Sequence, residues 1–348
     1  MRALPHPTPH RATLREVAAA AKVSLTAASF ALNGTGSVSD QCRKRVTAAA
    51  TRLGYAPDIR VAEIMRRVRR DQHPDYRETL AILDMWPSRG GWREPVANRQ
   101  YREGIQVRAA QLGYEVEEHW LGEIGMTPKR IEGILRARGI RGVIVPPVIN
   151  PDASRLLDWN AFTAVTIGPS LEVPVNRVCN HRFRTVRTAV EHLAALGYSR
   201  LGFVMAHHPL RIVEDFWCSG FITYQAKLKR AQKVPLLLHT PSSFAEVSAW
   251  YRKHRPDAIL FHDLGQLGAL TEAGLRPGLN GGVAYLNWSP TAKGLAGVDQ
   301  QGELMGAMAI DCLMGQLLRN EVGLPRAPQE IMIDSVWRDG ASAPKKDT

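Results

Sequence analysis

The first part of the chain carries apolar residues with the spacing of a short helix. They fall at positions i, i+3, i+4 and i+7, at Leu14, Val17, Ala18 and Ala21. This spacing predicts an apolar stripe along one side of a helix. Thr13 and Glu16 predict a capping box, in which each side chain accepts a hydrogen bond from a free backbone N–H at the helix start.

Two further helices are predicted directly after the first. After the short turn KVS, Ser24 can cap a second helix that ends at residues 33–34, where Asn-Gly is a common helix end. Ser39 can start a third helix that ends at Gly54, with these inward residues: Val46, Ala50 and Leu53. Three short helices with a tight turn between the first two are typical of a helix-turn-helix DNA-binding domain.

From residue 79 onward, apolar strand patterns alternate with amphipathic helix patterns. The predicted strands are 79–84, 114–119, 142–146, 163–167, 201–205, 234–238, 257–261 and 282–286. The predicted helices include 98–112, 127–138, 183–196, 213–230, 243–253 and 263–273. This alternation favours parallel sheets, and the stretch PVNRVCN interrupts it and divides the segment into two lobes. A ligand cleft is expected at the carboxyl ends of the strands.

The chain therefore divides into an all-α helix-turn-helix domain and an α/β two-lobed core. The expected boundaries are a disordered tail over 1–12, the helix-turn-helix domain over 13–57, a hinge helix with a basic linker over 58–78, the core over 79–340 and a C-terminal tail over 341–348. The linker segment APDIRVAEIMRRVRRD is too short and too charged to form a stable helix alone, so we expect it to fold on a partner.

Positive charge is concentrated at the N-terminal end. Residues 1–70 hold 13 Lys and Arg against 4 Asp and Glu, a net charge of +9, whereas the whole chain carries +12. This distribution is expected of a protein that binds a polyanion; a solvated basic tail is the alternative. No long apolar run or signal-peptide pattern occurs, and the four cysteines form no CxxC pair, so the sequence predicts a cytoplasmic, nucleoid-associated protein with no membrane contact, metal or cofactor.

The second helix presents an unusual outward face. With Ala28 and Leu32 toward the core, the outward residues include Phe30, which can contact a thymine methyl group in the major groove. The alternative is that Phe30 packs against a neighbouring helix or the linker. The residues expected to face the bases or bind phosphates are Ser24, Leu25, Thr26, Ala27, Ser29, Phe30, Asn33, Ser39 and Tyr55; for the two serines, helix capping is an ordinary alternative role.

Several segments resemble the LacI/GalR family of transcriptional regulators. The N-terminal segments are VAAAAKVS, ALNG, VSDQCRKRV and LGYAPD; those of the core are YREGIQVRAAQLGYEVE, ILRARGIRGVIVPP, HLAALGYSRLGFV and DLGQLGAL. The resemblance implies a periplasmic-binding-protein-like core and a homodimer on a palindromic double-stranded operator. It further implies that Ile64 enters the minor groove as an apolar wedge from a hinge helix; packing of Ile64 against the other subunit is the alternative.

The sequence departs from the family pattern at both sites. Leu25, Ala27 and Phe30 replace common polar residues of the recognition helix, and Val61 replaces the usual Ala of the hinge. In the effector pocket, Trp217 replaces an Arg and Asn287 replaces an Asp, whereas Asp263 and Gln300 match. Indole and amide groups suit a carbohydrate, so Trp86, Trp217, Asp263, Asn287 and Gln300 are the expected ligand-binding residues. For each Trp, core or interface packing is an equal alternative.

The competing functions are weaker. No GxGxxG, Walker, GxSxG or HExxH motif occurs, so we expect no enzymatic activity and no catalytic residues. A solute-binding transport protein has no use for a basic helix-turn-helix. The sequence predicts a dimeric DNA-binding repressor controlled by a small molecule, expected to be a sugar. A ligand-independent or architectural regulator remains the alternative, and a purine or no ligand stays open.

Overall fold

The structure is a computed structural model of the 348-residue chain. It describes residues 12–33, 38–55, 78–150, 155–208 and 211–346. Residues 1–11 of the tail expected over 1–12 lie outside the described residues, as do residues 58–77 of the expected hinge and linker, with Val61 and Ile64.

Three helices form the N-terminal unit: α1 (Leu14–Ala20), α2 (Leu25–Asn33) and α3 (Asp40–Leu53). The predicted capping box is present, with the Thr13 N–H donating to Glu16 Oε2 at 2.6 Å and the Glu16 N–H donating to Thr13 Oγ1 at 3.3 Å. Gly54 adopts the left-handed conformation (φ +62°) that ends α3.

Small apolar side chains fill the centre of this unit. The buried members are Val17, Ala18, Ala21, Ala28, Ala31, Val46, Ala49 and Ala50. The inward prediction for Leu53 is wrong, because its side chain is 38% exposed. Leu53 is the last residue of α3, where no turn of helix follows to cover it, and Ala49 takes the inward place instead.

The first lobe of the core is a parallel six-stranded sheet in the order β11-β5-β4-β3-β1-β2. Its strands are β1 (Glu78–Asp84), β2 (Tyr114–Trp120), β3 (Gly142–Val145), β4 (Thr163–Ile167), β5 (Asn176–Asn180) and β11 (Glu330–Ile333). The helices are α4 (Val96–Gln111), α5 (Pro128–Ala137) and α10 (Gly302–Leu318). One face packs on α4 and α10 and the other on α5.

The second lobe is a six-stranded sheet in the order β12-β10-β9-β8-β6-β7, in which only the β10–β12 pair is antiparallel. Its strands are β6 (Leu201–Ala206), β7 (Leu237–His239), β8 (Ala258–Phe261), β9 (Gly282–Tyr285), β10 (Ala296–Asp299) and β12 (Val336–Arg338). Helices α6 (Arg182–Ala195) and α7 (Arg211–Ala226) pack on one face, and α8 (Phe244–His254) and α9 (Leu264–Glu272) on the other.

The chain passes between the two lobes at three neighbouring points: after β5, after β10 and between β11 and β12. Hydrogen bonds join these crossings, because the Asn180 amide donates to Ser335 Oγ at 2.7 Å and the Gln301 amide donates to the Asp334 carbonyl at 2.6 Å. Gln301 itself has a positive φ of 57°. Paired crossings of this kind can hold two lobes beside one cleft while they rotate.

Most predicted strands and helices occur within a few residues of their expected places. The strand expected over 234–238 begins later, at Leu237. The interrupting stretch PVNRVCN contains β5, which pairs with β4 and β11 inside the first sheet. The pattern did not predict α10, β10, β11 and β12.

Candidate DNA-binding surface and interlobe cleft

The outward side of α2 exposes apolar side chains. Leu25 is 48% and Phe30 is 40% exposed, while Ala28 and Ala31 point into the domain centre. Thr26 is also exposed, and Ala27 and Ser29 are half-buried. We call Leu25, Thr26, Ser29 and Phe30 the reading face. The side chain of Phe30 is therefore available to a partner.

Helix α2 contains no charged residue, and its start is suited to an anion. The Ser24 hydroxyl accepts a hydrogen bond from the Ala27 N–H at 3.1 Å, which caps the helix, and Ser24 is exposed. No acidic residue stands in the first turn. The positive end of the helix dipole is therefore left without a neutralising carboxylate, as phosphate binding requires.

Helix α3 carries positive charge on its outer side, away from the residues that it buries in the domain centre. A shallow groove along its outer side is lined by Arg43, Lys44, Thr47, Ala48, Thr51 and Arg52. Ser39 caps α3 through the Cys42 N–H at 3.3 Å, and Tyr55 is half-buried against the domain centre. The side chain of Asn33 and the whole of Ile64 lie outside what the structure describes.

A continuous group of side chains runs along the second lobe beside the crossings. The Gln300 amide donates to the Leu286 carbonyl at 2.8 Å and to Asn287 Oδ1. The Asn287 amide in turn donates to the His262 carbonyl at 3.0 Å and lies 3.2 Å from His262 Nε2. The ring of His262 meets Trp217 edge-on, with ring centroids 5.3 Å apart.

Arg182, the first residue of α6, extends this group toward the first lobe. Its guanidinium carbon lies 5.7 Å from the centroid of the Trp217 ring. A Cβ added to Gly168 would lie 3.9 Å from Arg182 Nη2 and 3.7 Å from Pro147 Cγ. The guanidinium group is therefore close to the ends of β3 and β4. We call Arg182, Trp217, His262, Asn287 and Gln300 the cleft cluster.

Trp86 occupies the first-lobe side of the same region. Its indole N–H donates to the Pro147 carbonyl at 2.7 Å, and its backbone N–H donates to Asp84 Oδ1 at 3.0 Å. Pro147 thus contacts Trp86 on one side and lies close to Gly168 on the other. Arg182 lies beside the same glycine. Trp86 is half-buried, so part of its ring surface is accessible.

Charge within the cleft cluster is poorly compensated. Arg182 Nε is buried with no hydrogen-bond partner, and no ion pair or hydrogen bond from Arg182 occurs among the described residues. Burial lowers the pKa of Arg182. Burial, together with the positive charge of Arg182, lowers the pKa of His262 to about 4, so His262 is neutral at pH 7.

The structure separates the five expected ligand residues. Asn287 and Gln300 are joined in the second lobe, whereas Trp86 belongs to the first lobe. Trp217 is only 2% exposed and is part of the second-lobe core, so the open stacking platform expected from the sequence is absent: Arg182 and His262 lie against its ring. Asp263 caps α9, where its Oδ1 accepts from the Gly265 N–H at 2.7 Å.

Sequence reasoning did not select Arg182 or His262 as site residues. A usable signal was present, because both follow the carboxyl ends of parallel strands. His262 comes directly after β8, and Arg182 stands two residues after the end of β5. Ligands of open α/β sheets bind at such ends.

Other kinds of site are not found in the described part of the chain. It holds no group of three or more His, Cys, Asp or Glu side chains that could bind a metal ion. No described helix is both long and apolar enough to span a bilayer.

Comparison with known proteins agrees with this architecture. Residues 13–58 match the family model described as bacterial regulatory proteins, lacI family. The lactose operon repressor of Escherichia coli K12 is 25% identical over 90% of this chain and 88% of its own length. The repressor CytR of the same organism is 27% identical over 75% of each chain. The regulator DegA of Bacillus subtilis is 23% identical over 56% of this chain and 55% of its own.

Solved structures share the fold across nearly the whole chain. A lac repressor dimer bound to operator and the anti-inducer ONPF has a TM-score of 0.58 at 22% identity, covering 96% of this chain and all of that one. The regulator CelR in complex with cellobiose has a TM-score of 0.58 at 19% identity, covering 95% and 100%.

The named relatives are transcriptional regulators and not enzymes, as the sequence predicts. The helix-turn-helix match and the two-lobed α/β core occur in one chain, in the order found in those regulators. Residues 13–58 therefore carry a helix-turn-helix domain that matches the lacI family of bacterial regulatory proteins, and the chain as a whole is similar to DNA-binding transcriptional regulators of that kind.

Proposed function

We propose that this regulator is a repressor that binds a palindromic operator as a homodimer and responds to a small ligand held between its lobes. The observation that carries the DNA-binding part of the proposal is the reading face: a helix with no charge, an exposed Phe30 and a start capped by Ser24, in a unit whose helix α3 has basic residues on its outer side.

The chemistry of the reading face favours particular bases. Arg and Lys are the residues that most often bind guanine, and α2 has neither. Leu25 and Phe30 offer apolar surface that fits thymine methyl groups, and Thr26 and Ser29 offer hydroxyls. We expect A·T pairs at the positions under α2. Affinity comes from phosphate contacts at Ser24, Ser39, Tyr55 and the basic residues of α3.

The two-lobed core supports ligand control. The three joined crossings allow the lobes to rotate about one edge, and the cleft cluster reaches from the second lobe toward the first. A ligand that binds the two lobe arrangements with different affinity shifts the balance between them. Such a shift changes the distance between the two DNA-binding domains of a dimer. The relatives named for lactose and cellobiose systems support a sugar-like ligand.

The proposal is tested by selecting bound DNA from a random library with the purified full-length protein at near-physiological salt. A palindromic consensus with thymines at fixed positions is the expected result, together with a dimeric mass by light scattering. Salt-dependent binding without a consensus would contradict sequence-specific repression and favour the architectural alternative.

The wedge assigned to Ile64 needs its own test on the selected operator. Ile64→Ala is expected to lower affinity and to reduce DNA bending, because an apolar side chain between base pairs unstacks them. Bending can be measured from the mobility of complexes on permuted DNA fragments. Unchanged bending would remove the wedge from the proposal.

A further inference from the structure

We propose that the cleft ligand is a small organic anion, and that its carboxylate or phosphate group pairs with the guanidinium of Arg182. This inference rests on the proposed function, since it names the chemical class of the ligand that the cleft holds.

The first argument is the contrast between Arg182 and the arginines nearest to it in sequence. Arg184 pairs with Asp334 at 2.7 Å. Arg177 donates to the carbonyls of Leu171 and Val173 at 3.4 and 3.3 Å. Arg182 is half-buried, like Arg177, and yet its Nε is buried without a partner among the described residues. An unpaired buried charge is strongly unfavourable, so it is retained where a partner arrives from outside.

The second argument concerns the surrounding charges. Glu330 interacts with Arg182 electrostatically, but it is exposed on β11, and it hydrogen-bonds the Cys179 thiol rather than forming an ion pair with Arg182. Asp263 caps α9. Among the described residues, no carboxylate oxygen lies within 4 Å of the guanidinium, whose planar fork of N–H groups is left to bind a carboxylate or phosphate.

The third argument is the way the guanidinium is held. The Trp217 face lies under it, and Gly168 leaves space beside Nη2 that a side chain would fill. Stacking on an aromatic ring fixes an arginine fork without using its hydrogen-bond donors. Next to it, neutral His262 and Asn287 offer groups that can bind uncharged polar parts of the same ligand.

The test uses thermal unfolding of the full-length protein with inorganic phosphate and acetate as minimal probes, each against chloride at equal ionic strength. Without a probe, Arg182→Met is expected to raise Tm by a few degrees, because it removes a cation whose Nε is buried without a hydrogen-bond partner among the described residues. Phosphate, acetate or both are expected to raise the Tm of the wild type. A rise in Tm with phosphate alone indicates a phosphate ligand, and a rise with acetate alone indicates a carboxylate ligand.

The Arg182→Met variant is expected to bind the active probe about 10- to 100-fold more weakly than the wild type. Arg184→Met is the matched control, because it removes a neighbouring surface arginine and should keep the wild-type response. Phosphate bound elsewhere on the protein would raise the Tm of all variants equally. If Arg182→Met fails to fold, Arg182→Lys takes its place and should retain only part of the response. An equal response in wild type and Arg182 variants, or no response to either probe, would overturn the inference.

Operator binding separates this inference from the proposed function. The wild type should select and bind its operator when no anion is added. A protein that binds its operator but shows no Arg182-dependent probe response contradicts the anionic ligand alone. A wild type that selects no DNA sequence contradicts the proposed function, whatever the probes do.

Discussion

The DNA-binding unit and the interlobe cleft place a large aromatic side chain in opposite surroundings. Phe30 is 40% exposed on a helix without charge, whereas Trp217 is 2% exposed beneath an unpaired guanidinium. At the first site the apolar group is exposed, and the basic residues belong to another helix, α3. At the second the apolar group is buried and a charge is free. The two surfaces are therefore suited to different partners: the first to base edges of DNA, the second to a small anion.

Replacing the two aromatic residues should give the largest contrast. Trp217→Ala is expected to destabilise the core by about 3–5 kcal/mol, because it leaves a cavity among buried residues. Phe30→Ala should change stability by less than about 0.5 kcal/mol, since its side chain is largely exposed. Tryptophan fluorescence during urea unfolding reports the core, because residues 1–85 contain no tryptophan. Circular dichroism follows the whole chain. If Trp217→Ala lowers the free energy of unfolding by less than about 1 kcal/mol, the ring of Trp217 is not part of the core.

The pH dependence of stability should separate the cleft from the DNA-binding unit. His262 has a pKa of about 4 in the folded chain and a normal value near 6.5 when unfolded. Between these values the unfolded state binds more protons, so stability is full above pH 6.5 and falls as the pH drops toward 4. This difference between the two pKa values of His262 contributes at most roughly 3 kcal/mol to the free energy of unfolding.

His262→Gln should flatten this part of the curve of Tm against pH, with the effect confined to the core transition. A curve for His262→Gln that overlays that of the wild type would contradict the buried, neutral state of His262.

A smaller effect is expected at the start of α2. Ser24→Ala removes the hydrogen bond to the Ala27 N–H and should destabilise the DNA-binding unit by about 1 kcal/mol. Ser24→Asp keeps the cap but adds a negative charge where a phosphate is expected. It should retain stability while weakening DNA binding at all sequences. If Ser24→Asp binds DNA as tightly as the wild type, no phosphate lies at this helix start.

The sequence predicted the DNA-binding unit well because its determinants are local. The capping box, the apolar spacing and Gly54 all act within one helix, and each occurs as expected. The inward prediction for Leu53 was wrong because helical spacing does not show where the residues that cover a helix end. The alternation of strands and helices likewise gave the class of the core.

The parts of the core that the sequence did not predict depend on contacts between distant segments. Helix α10 is apolar on nearly all sides because it is covered by both the first sheet and α4, so it lacks a polar face that would mark it as amphipathic. Strand β11 pairs with β5, more than a hundred residues earlier. The surroundings of Arg182 are formed by Trp217 and Gly168, and no carboxylate oxygen of the described residues lies within 4 Å of its guanidinium. Neither feature can be recognised from the adjacent sequence.

The central claim is that the reading face recognises base sequence, and the affinity of Phe30→Ala for DNA tests it most directly. Fluorescence anisotropy would compare the selected operator with a scrambled duplex of equal length, using Leu53→Ala as a control for an exposed apolar residue outside α2. The account predicts that Phe30→Ala loses about 1–3 kcal/mol on the operator and almost nothing on the scrambled duplex. Equal losses on both duplexes would show that Phe30 supports the domain rather than reading the operator.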